Sequence, residues 1–359
     1  MSIHFHPLRV KEINKETSDC VSVQFEIPEN LKNNFSFTHG QSLTMRTTIN
    51  GKEIRRTYSL CSSPLDSEWK VAIKKVDGGL FSSFANDKLK KGDVLEVMEP
   101  VGKFYTALNP ANKKNYIAFA AGSGITPVIS IIKTTLRTEL HSHFTLVYGN
   151  QNQASIIFFE ELEALKNKFL DRFNYINILS REITGSPVNY GRINADKLIE
   201  LSKLVDYSSM AEIFICGPEE MIFGAKDFLI SKGINEKKIH FELFTSTAPK
   251  KHTAKTEQAT KESGKQSSIT IKVDGRLFDF NLPANSEVTI LDAALKQGVD
   301  LPFACKGGMC CTCKSKLLEG EVEMDVHWGL EDEEVQRGFI LACQSHPKTA
   351  KVVIDFDIK

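Results

Sequence analysis

The sequence predicts a multidomain α+β protein: an antiparallel β-barrel, an α/β domain with a parallel sheet, and a small C-terminal β domain. Three observations predict it. Short apolar runs separated by turn residues begin the chain, apolar runs alternate with helical patterns in the middle, and a polar segment precedes the last part. A chain of 359 residues has room for roughly two or three domains. The predicted boundaries enclose residues 1–110, 111–246, 247–268 and 269–359.

Turn residues divide the first part into short strands. Asn50-Gly51, Asp77-Gly78-Gly79 and Lys91-Gly92-Asp93 interrupt its apolar runs, as expected for a small antiparallel barrel. A helix is expected over Phe81–Leu89. The predicted strands are Val21–Ile27, Gln41–Thr48, Tyr58–Cys61, Trp69–Val76 and Val94–Met98.

The middle part alternates strand and helix patterns, which predicts a parallel sheet covered by helices. Helices are expected to begin near Pro127, Ile157, Asn194 and Glu219. The predicted strands are Tyr116–Ala120, Phe144–Tyr148, Phe173–Leu179, Ala211–Cys216 and Ile239–Phe244.

The composition argues against two classes of partner. The chain carries 45 basic and 45 acidic residues, so its formal net charge of zero gives no support for binding nucleic acid or a membrane surface. It has no apolar stretch of about 18 residues and no apolar N-terminal segment, so neither a membrane span nor a signal peptide is expected. The expected location is the cytoplasm.

Residues 247–268 have the composition of a flexible linker. The segment contains no aromatic residue and no Val or Ile, and its five Lys and two Glu give a net charge of +3. Such a segment cannot bury a core. The part that follows begins with a predicted hairpin, Ile269–Val273 and Leu277–Leu282, joined by a type I′ turn at Asp274-Gly275. A helix over Ile290–Gln297 and a final strand over Lys351–Ile358 complete it.

Four cysteines have the spacing of a plant-type 2Fe–2S site. Cys305, Cys310 and Cys313 follow C-x4-C-x2-C, and Cys343 is the distant fourth. A structural zinc site is the alternative, but zinc usually shows paired C-x2-C knuckles, and one such pair is present. Cys311 does not fit the spacing and is expected to pack inward.

The segment Ala304–Cys313, together with Ala342-Cys343-Gln344, resembles plant-type ferredoxin domains that are fused to reductases. The resemblance covers the whole C-terminal part. It implies a β-grasp fold in which these four cysteines hold the cluster.

Arg56-Thr57-Tyr58-Ser59 resembles the R-x-Y-S flavin motif of the ferredoxin–NADP reductase superfamily. The resemblance implies that this segment, Thr57 included, binds FAD. Arg56 would pair with the pyrophosphate, Tyr58 would stack on the isoalloxazine, and Ser59 would reach its N5 edge.

Gly78-Gly79-Leu80-Phe81-Ser82-Ser83 is a second flavin signal, at the distance from Arg56 that is usual in the superfamily. Backbone N–H groups at a helix start bind anions, so Gly79, Ser82 and Ser83 are expected to contact FAD. A plain turn with an N-cap serine is the alternative.

Two turns of the middle part resemble the superfamily's nicotinamide motifs. Gly122-Ser123-Gly124-Ile125-Thr126-Pro127 follows a predicted strand, opens a helix and matches G-x-G-x-T-P. Cys216-Gly217-Pro218 matches C-G-P, which implies that Cys216 lies near the nicotinamide C4 atom; a core thiol is the alternative. The residues implied in coenzyme binding are Gly122, Gly124, Thr126, Pro127, Cys216, Gly217 and Pro218.

Ser180-Arg181 follows the third strand of the middle part, where NADP-using members hold the 2′-phosphate. NADPH is therefore favoured over NADH, although Glu182 is adjacent and an acid there is typical of NAD sites. Phe244 or Phe241 is a candidate to cover the free flavin face, and Glu242 a candidate to assist proton transfer.

The order flavin, nicotinamide and ferredoxin resembles the reductase components of multicomponent oxygenases. It implies that hydride from NAD(P)H reaches FAD, which can release electrons singly to the cluster. Tyr58, Ser59 and Cys216 are the residues expected to act at the reacting atoms. The expected partner is a terminal oxygenase. The alternatives are a reductase for a desaturase or haem partner, and a non-enzymatic iron–sulfur sensor.

Overall fold

The computed structural model describes residues 4–244, 266–283 and 286–358. Phe5–Phe244 forms one compact unit, and the described C-terminal residues belong to a second. Residues 247–265 of the predicted linker lie outside the described residues. Its last three residues begin a strand, where Ser267 is fully buried, so the linker prediction is wrong for them. Serines at the start of this strand hid its alternating pattern.

The first part is an antiparallel sheet that forms the predicted barrel, in a region described without a gap. Its strands lie in the order β4-β3-β6-β1-β2-β5, and the helix α1, Leu80–Asp87, packs against β4 and β5. The strands are β1 Phe5–Thr17, β2 Cys20–Glu26, β3 Ser42–Ile49, β4 Lys52–Ser59, β5 Trp69–Lys74 and β6 Val94–Met98.

Two strands of the barrel differ from the prediction. β1 was not predicted, because most of its side chains are polar and only Leu8 and Val10 among its apolar residues are fully buried. β4 begins at Lys52 rather than at Tyr58, because the turn at Asn50-Gly51 has positive φ at both residues and pairs β4 with β3 from its first residue.

The middle part is the predicted parallel sheet, again without a gap in the description. Its order is β11-β10-β7-β8-β9, so the chain leaves β7 toward β8 and later returns to β10 on the other side. Ligands bind at such a switch point, outside the carboxyl ends of the strands. The strands are β7 Asn115–Ala121, β8 His143–Asn150, β9 Phe173–Leu179, β10 Glu212–Gly217 and β11 Ile239–Leu243. The helices are α2 Ile125–Thr138, α3 Phe159–Lys168, α4 Ala195–Leu201 and α5 Glu219–Ser231.

The helix α2 joins the barrel to the parallel sheet. Every residue from Ile125 to Leu136 is buried, and the helix packs on β7, β8 and β10. On the barrel side, Ser130 Oγ donates to the Ser62 carbonyl at 2.6 Å, and Lys133 Nζ lies 3.3 Å from Asp66 Oδ2. The middle of α2 is therefore in contact with both the barrel and the sheet.

The C-terminal unit is a mixed sheet in the order β13-β12-β18-β14-β16, within the described residues. β12 and β18 are parallel neighbours, and the helix α6 packs into the core beneath them, as in a β-grasp fold. Asp274 and Gly275 both have positive φ, as predicted for a type I′ turn. Its elements are β12 Gln266–Val273, β13 Arg276–Pro283, α6 Ile290–Lys296, β14 Lys314–Glu319, β15 Val322–Met324, α7 Asp332–Gln336, β16 Phe339–Leu341, β17 Ser345–Pro347 and β18 Lys351–Asp355.

The predicted fold class is confirmed for all three parts. Among the described residues, no helix is both long and apolar enough to cross a membrane.

His39 is a buried histidine in the loop before β3. Its ring packs edge-on against Tyr105, with centroids 6.1 Å apart, and 4% of the residue is exposed. Burial lowers the pKa of His39 to about 4, against the opposing effects of a hydrogen bond with the Thr106 backbone and the charge of Glu139. The ring is therefore neutral in the folded protein at neutral pH.

This burial predicts acid sensitivity. Between the unfolded pKa of about 6.5 and the folded value of about 4, the unfolded chain binds more protons at His39, so stability falls as the pH falls. The loss from pH 7 to pH 5 should be roughly 2 kcal/mol from this group. Urea unfolding at both pH values measures it. His39→Gln should reduce the pH dependence of the free energy of unfolding, whereas His141→Gln, at an exposed histidine, should not. An equal loss of stability in the wild type and both variants would contradict the role of His39.

Candidate functional site

The strand β4 presents the first flavin motif beside α1. The Tyr58 ring lies 5.6 Å from the Phe81 ring, centroid to centroid, and burial raises the pKa of its phenol far above the usual value. Thr57 Oγ1 bonds Thr44 Oγ1 of β3 at 3.1 Å. Arg56 is exposed, and its Nη1 donates to its neighbour's backbone carbonyl rather than to a carboxylate. An exposed cation that has no carboxylate partner in the described part of the chain fits a phosphate ligand.

The turn at Gly78-Gly79 leads into α1. A Cβ atom on Gly79 would lie 2.4 Å from Ser82 Oγ and 3.0 Å from the Val76 carbonyl oxygen, so a larger residue would have to displace the Ser82 side chain. The Ser82 hydroxyl accepts from Val76 N at 3.1 Å and donates to the Gly79 carbonyl, so this side chain shapes the turn. The Ser83 N–H makes the first helical bond, to the Gly79 carbonyl. The N–H groups before it have no partner within the helix and are suited to an anion.

The nicotinamide turns meet at the ends of β7 and β10. Gly122 has a φ of +52°, and α2 begins three residues later. A Cβ atom on Gly124 would lie 2.0 Å from the Cys216 carbonyl oxygen, and one on Gly217 would lie 2.6 Å from Met221 Cε. Only glycine permits the approach of Gly124 to a backbone oxygen, whereas the contact at Gly217 is with the flexible end of a methionine side chain. Thr126 Oγ1 donates to the Ser123 carbonyl at 3.0 Å, so its hydroxyl closes the turn from within.

A hydroxyl, a carboxylate and a thiol converge between the barrel and the sheet. Ser59 Oγ donates to Glu242 Oε2 at 3.1 Å, and Glu242 pairs with Cys216 in the register of β10 and β11. Cys216 is fully buried; burial first, and the charge of Glu242 second, raise the pKa of its thiol well above the usual value. The thiol is therefore neutral, and the Ser59–Glu242 pair can move a proton.

A cavity of about 580 Å³ opens at the carboxyl ends of the parallel strands, a volume usual for a cofactor site. Five of the residues predicted to bind the coenzyme line it: Gly122, Ser180, Arg181, Gly217 and Pro218. Four others, Gly124, Thr126, Pro127 and Cys216, lie at the ends of β10 and α2 but are not part of its lining.

Two basic residues of this cavity were not predicted. Arg192 reaches it because the Gly191 N–H bonds the Leu179 carbonyl at 2.9 Å, which returns the chain to the end of β9. Lys74 comes from the barrel. Their places depend on contacts between distant segments, so no local pattern revealed them. Arg181 and Arg192 are both exposed, whereas Glu182 accepts a hydrogen bond from Gln153 N at 2.8 Å.

The two candidate aromatic residues near β11 have different surroundings. Phe241 packs against Phe223 of α5, with ring centroids 5.9 Å apart, and lies under Lys226. Phe244 is 42% exposed and lines the cavity. The geometry therefore favours Phe244 over Phe241 as the aromatic residue that contacts a ligand.

The four predicted ligand cysteines approach one another in two pairs. Cys310 donates a hydrogen bond to the Cys305 sulfur, which lowers the pKa of Cys305 to about 5 and raises that of Cys310. Cys313 and Cys343 form the second pair in the same way. Among the described residues, no group of three or more His, Cys, Asp or Glu side chains is arranged around a single point. Two thiol pairs suit a cluster whose two irons each take two thiolates.

The loop backbone also faces the sulfurs. Gly307 N lies 3.3 Å from Cys305 Sγ, and Cys305 N lies 3.5 Å from Cys310 Sγ. Such N–H groups stabilise charge on cluster ligands. Cys311 Sγ instead donates to the Gly329 carbonyl at 2.7 Å.

Family profiles match three successive segments of the chain. An oxidoreductase FAD-binding domain matches residues 7–105, an oxidoreductase NAD-binding domain residues 119–227, and a 2Fe-2S iron-sulfur cluster binding domain residues 271–348.

Proteins similar over their whole length are oxygenase or epoxidase components. One subunit of 1,2-phenylacetyl-CoA epoxidase from Escherichia coli is 41% identical, covering 99% of this chain and 98% of that protein. The ferredoxin reductase component of 3-ketosteroid-9-alpha-monooxygenase from Rhodococcus rhodochrous is 33% identical, covering 97% and 96%. The structure of phthalate dioxygenase reductase has a TM-score of 0.60 and 25% identity, covering 98% of both chains. The chain belongs to the family of oxygenase reductase components.

This reductase is therefore an oxidoreductase with FAD and a 2Fe–2S cluster, and it passes electrons to a terminal oxygenase. The expectation of an enzyme is confirmed over the alternative of a sensor, because the FAD-binding and NAD-binding domains are both present.

The sulfur geometry predicts the result of a serine scan in the reductase. Cys305→Ser, Cys310→Ser, Cys313→Ser and Cys343→Ser should each lose most iron and the visible cluster absorbance, because each removes one thiolate from a pair. Cys311→Ser is the matched control and should keep both, because its sulfur bonds the Gly329 carbonyl. Iron per FAD and the visible spectrum measure the outcome. Iron loss in Cys311→Ser with retention in Cys310→Ser would refute this ligand set.

Proposed function

We propose that this reductase takes electrons from NADPH and delivers them, through FAD and the cluster, to an oxygenase of the 1,2-phenylacetyl-CoA epoxidase type. The observation that carries the proposal is the 41% identity to the matching component of that epoxidase over 99% of the chain. The steroid and glycine betaine reductases are 33% and 32% identical over comparable lengths.

The proposed flavin site lies on β4 and at the start of α1. Arg56 and Thr57 bind the FAD pyrophosphate region, together with the turn shaped by Gly79, Ser82 and Ser83. Tyr58 covers the isoalloxazine. FAD supplies the conversion of a two-electron hydride into single electrons. The support is the exposed Arg56 guanidinium, which forms no ion pair within the described residues, the Tyr58 ring beside Phe81, and the N–H groups at the start of α1.

The proposed hydride site lies where Ser59, Glu242 and Cys216 converge. Ser59 holds a proton that Glu242 can exchange, because the two are joined by a hydrogen bond. Cys216 packs beside the nicotinamide as a neutral thiol. Gly122, Gly124, Thr126, Pro127, Gly217 and Pro218 form the turns against which the coenzyme lies, and Phe244 contacts it from the end of β11.

The proposed 2′-phosphate site contains Ser180, Arg181 and Arg192. Both guanidinium groups are exposed at the cavity, and neither forms an ion pair among the described residues. Glu182 accepts a hydrogen bond from Gln153 N through one of its two carboxylate oxygens, Oε2. Two cations beside a hydroxyl favour a phosphate, and hence NADPH.

In the C-terminal domain, Cys305, Cys310, Cys313 and Cys343 are the proposed ligands of the cluster. The proposed domains are residues 1–110, 111–246 and 266–359, with the intervening segment as the linker. The first two contain one compact unit and the last belongs to the other.

Coenzyme choice tests the phosphate site. Arg181→Ala and Arg192→Ala should each raise the KM for NADPH roughly tenfold, because each loses a charge-assisted contact with the 2′-phosphate. The KM for NADH should change less than about twofold. Ferricyanide reduction measures both constants. Lys203→Ala, exposed and outside the cavity lining, is the control. An equal rise in the KM for NADPH and for NADH would refute the proposal that these arginines bind the 2′-phosphate.

The partner is tested by reconstitution. The full-length reductase is mixed with NADPH and either the oxygenase components of 1,2-phenylacetyl-CoA epoxidase or those of 3-ketosteroid-9-alpha-monooxygenase, each with its own substrate. Product formation should be at least about tenfold faster with the epoxidase. Cys343→Ser, which should lack the cluster, is the control and should support neither. Faster turnover with the steroid oxygenase would refute the epoxidase assignment.

A further inference from the structure

Tyr148 is a fully buried tyrosine of β8 whose hydroxyl reaches the nicotinamide turn. Its Oη donates to the Gly122 carbonyl oxygen at 2.9 Å. Tyr148 lies opposite Ala120 in the sheet, so the bond crosses from β8 to the residue after the end of β7. Burial raises the pKa of Tyr148 well above its usual value, so the hydroxyl remains a donor.

The conformation of Gly122 is not fixed by side-chain packing. Its φ is +52°, and a Cβ atom placed on it would meet nothing within 4 Å. Glycine can adopt several backbone conformations at little cost. The tyrosine bond, together with the Ile125 N–H that also reaches the Gly122 carbonyl, restricts that carbonyl to one direction.

The direction of this carbonyl also fixes its neighbour's N–H group. The Gly122 carbonyl and the Ser123 N–H belong to one planar trans peptide and point in opposite directions. Both residues line the cavity. A donor that holds the carbonyl toward β8 therefore holds the Ser123 N–H away from β8.

We propose that Tyr148 is a positioning residue that orients the Gly122–Ser123 peptide so that its N–H group binds the coenzyme pyrophosphate. This inference rests on the proposed nicotinamide site. Tyr148 touches neither coenzyme nor flavin and acts through the turn. Its removal therefore weakens coenzyme binding and leaves hydride transfer from bound coenzyme intact.

The chain offers a matched control on the next strand. Tyr175 of β9 is also buried, and its hydroxyl has no hydrogen-bond partner among the described residues. Tyr175→Phe removes the same atom as Tyr148→Phe from the same sheet without touching the turn. It should leave coenzyme binding unchanged.

The experiment compares Tyr148→Phe, Tyr175→Phe and the wild type as full-length reductases carrying FAD and cluster. Tyr148→Phe should raise the KM for NADPH about five- to tenfold, the effect of one hydrogen bond, with kcat within about twofold. The Kd for NADP⁺, from flavin difference absorbance, should rise by the same factor. A KM within about twofold of the wild type, or a lower kcat at unchanged KM, would overturn the proposal.

Gly122→Ala covers the case in which Tyr148→Phe loses FAD or does not fold. The added methyl meets no described protein atom within 4 Å and disfavours positive φ, so the KM for NADPH should rise again. An unchanged KM would overturn the proposal. Arg181→Ala distinguishes failure of the Tyr148 positioning role from failure of the proposed function. If it raises the KM for NADPH and Tyr148→Phe does not, the positioning role fails alone. If neither changes the KM for NADPH, the proposed 2′-phosphate site is wrong as well.

Discussion

The approach of Gly124 to the Cys216 carbonyl is the contact on which the nicotinamide half of the reductase depends. A Cβ atom there would come within 2.0 Å of that oxygen, so no other residue lets α2 start so close to the end of β10. The two turns that carry the nicotinamide motifs therefore lie side by side at the switch point of the sheet. The cavity opens at the same edge.

The same helix transmits this arrangement to the flavin half. Because α2 is buried on the sheet side and bonded to Ser62 and Asp66 on the barrel side, the barrel and the sheet cannot turn independently without breaking those contacts. The hydrogen bond from Ser59 to Glu242 spans the same boundary. The hydrogen bond between this barrel residue and this sheet residue thus relies on a helix that carries neither group.

Local patterns predicted the elements that carry the motifs. β6 and β9 have the bounds expected from apolar runs between turn residues. β1 was missed because its polar side chains conceal a strand that pairing with β2 and β6 stabilises. Arg192 and Lys74 were not predicted because contacts between distant segments place them at the cavity. The hydrogen bond from Gly191 to Leu179 brings Arg192 to the end of β9, and the packing of the barrel on the sheet brings Lys74. The sequence did not distinguish Phe244 from Phe241 as the aromatic residue that contacts a ligand. Their surroundings in the structure do, because Phe241 packs on Phe223 and Phe244 lines the cavity.

The burial of Cys216 has a consequence for chemical durability. Oxidants and alkylating reagents attack the thiolate, and attack requires access to the sulfur. Cys216 has no exposed surface, and burial beside Glu242 keeps its sulfur protonated. A redox protein that works with dioxygen-consuming partners thus keeps a cysteine at its proposed hydride site in a form that resists peroxide.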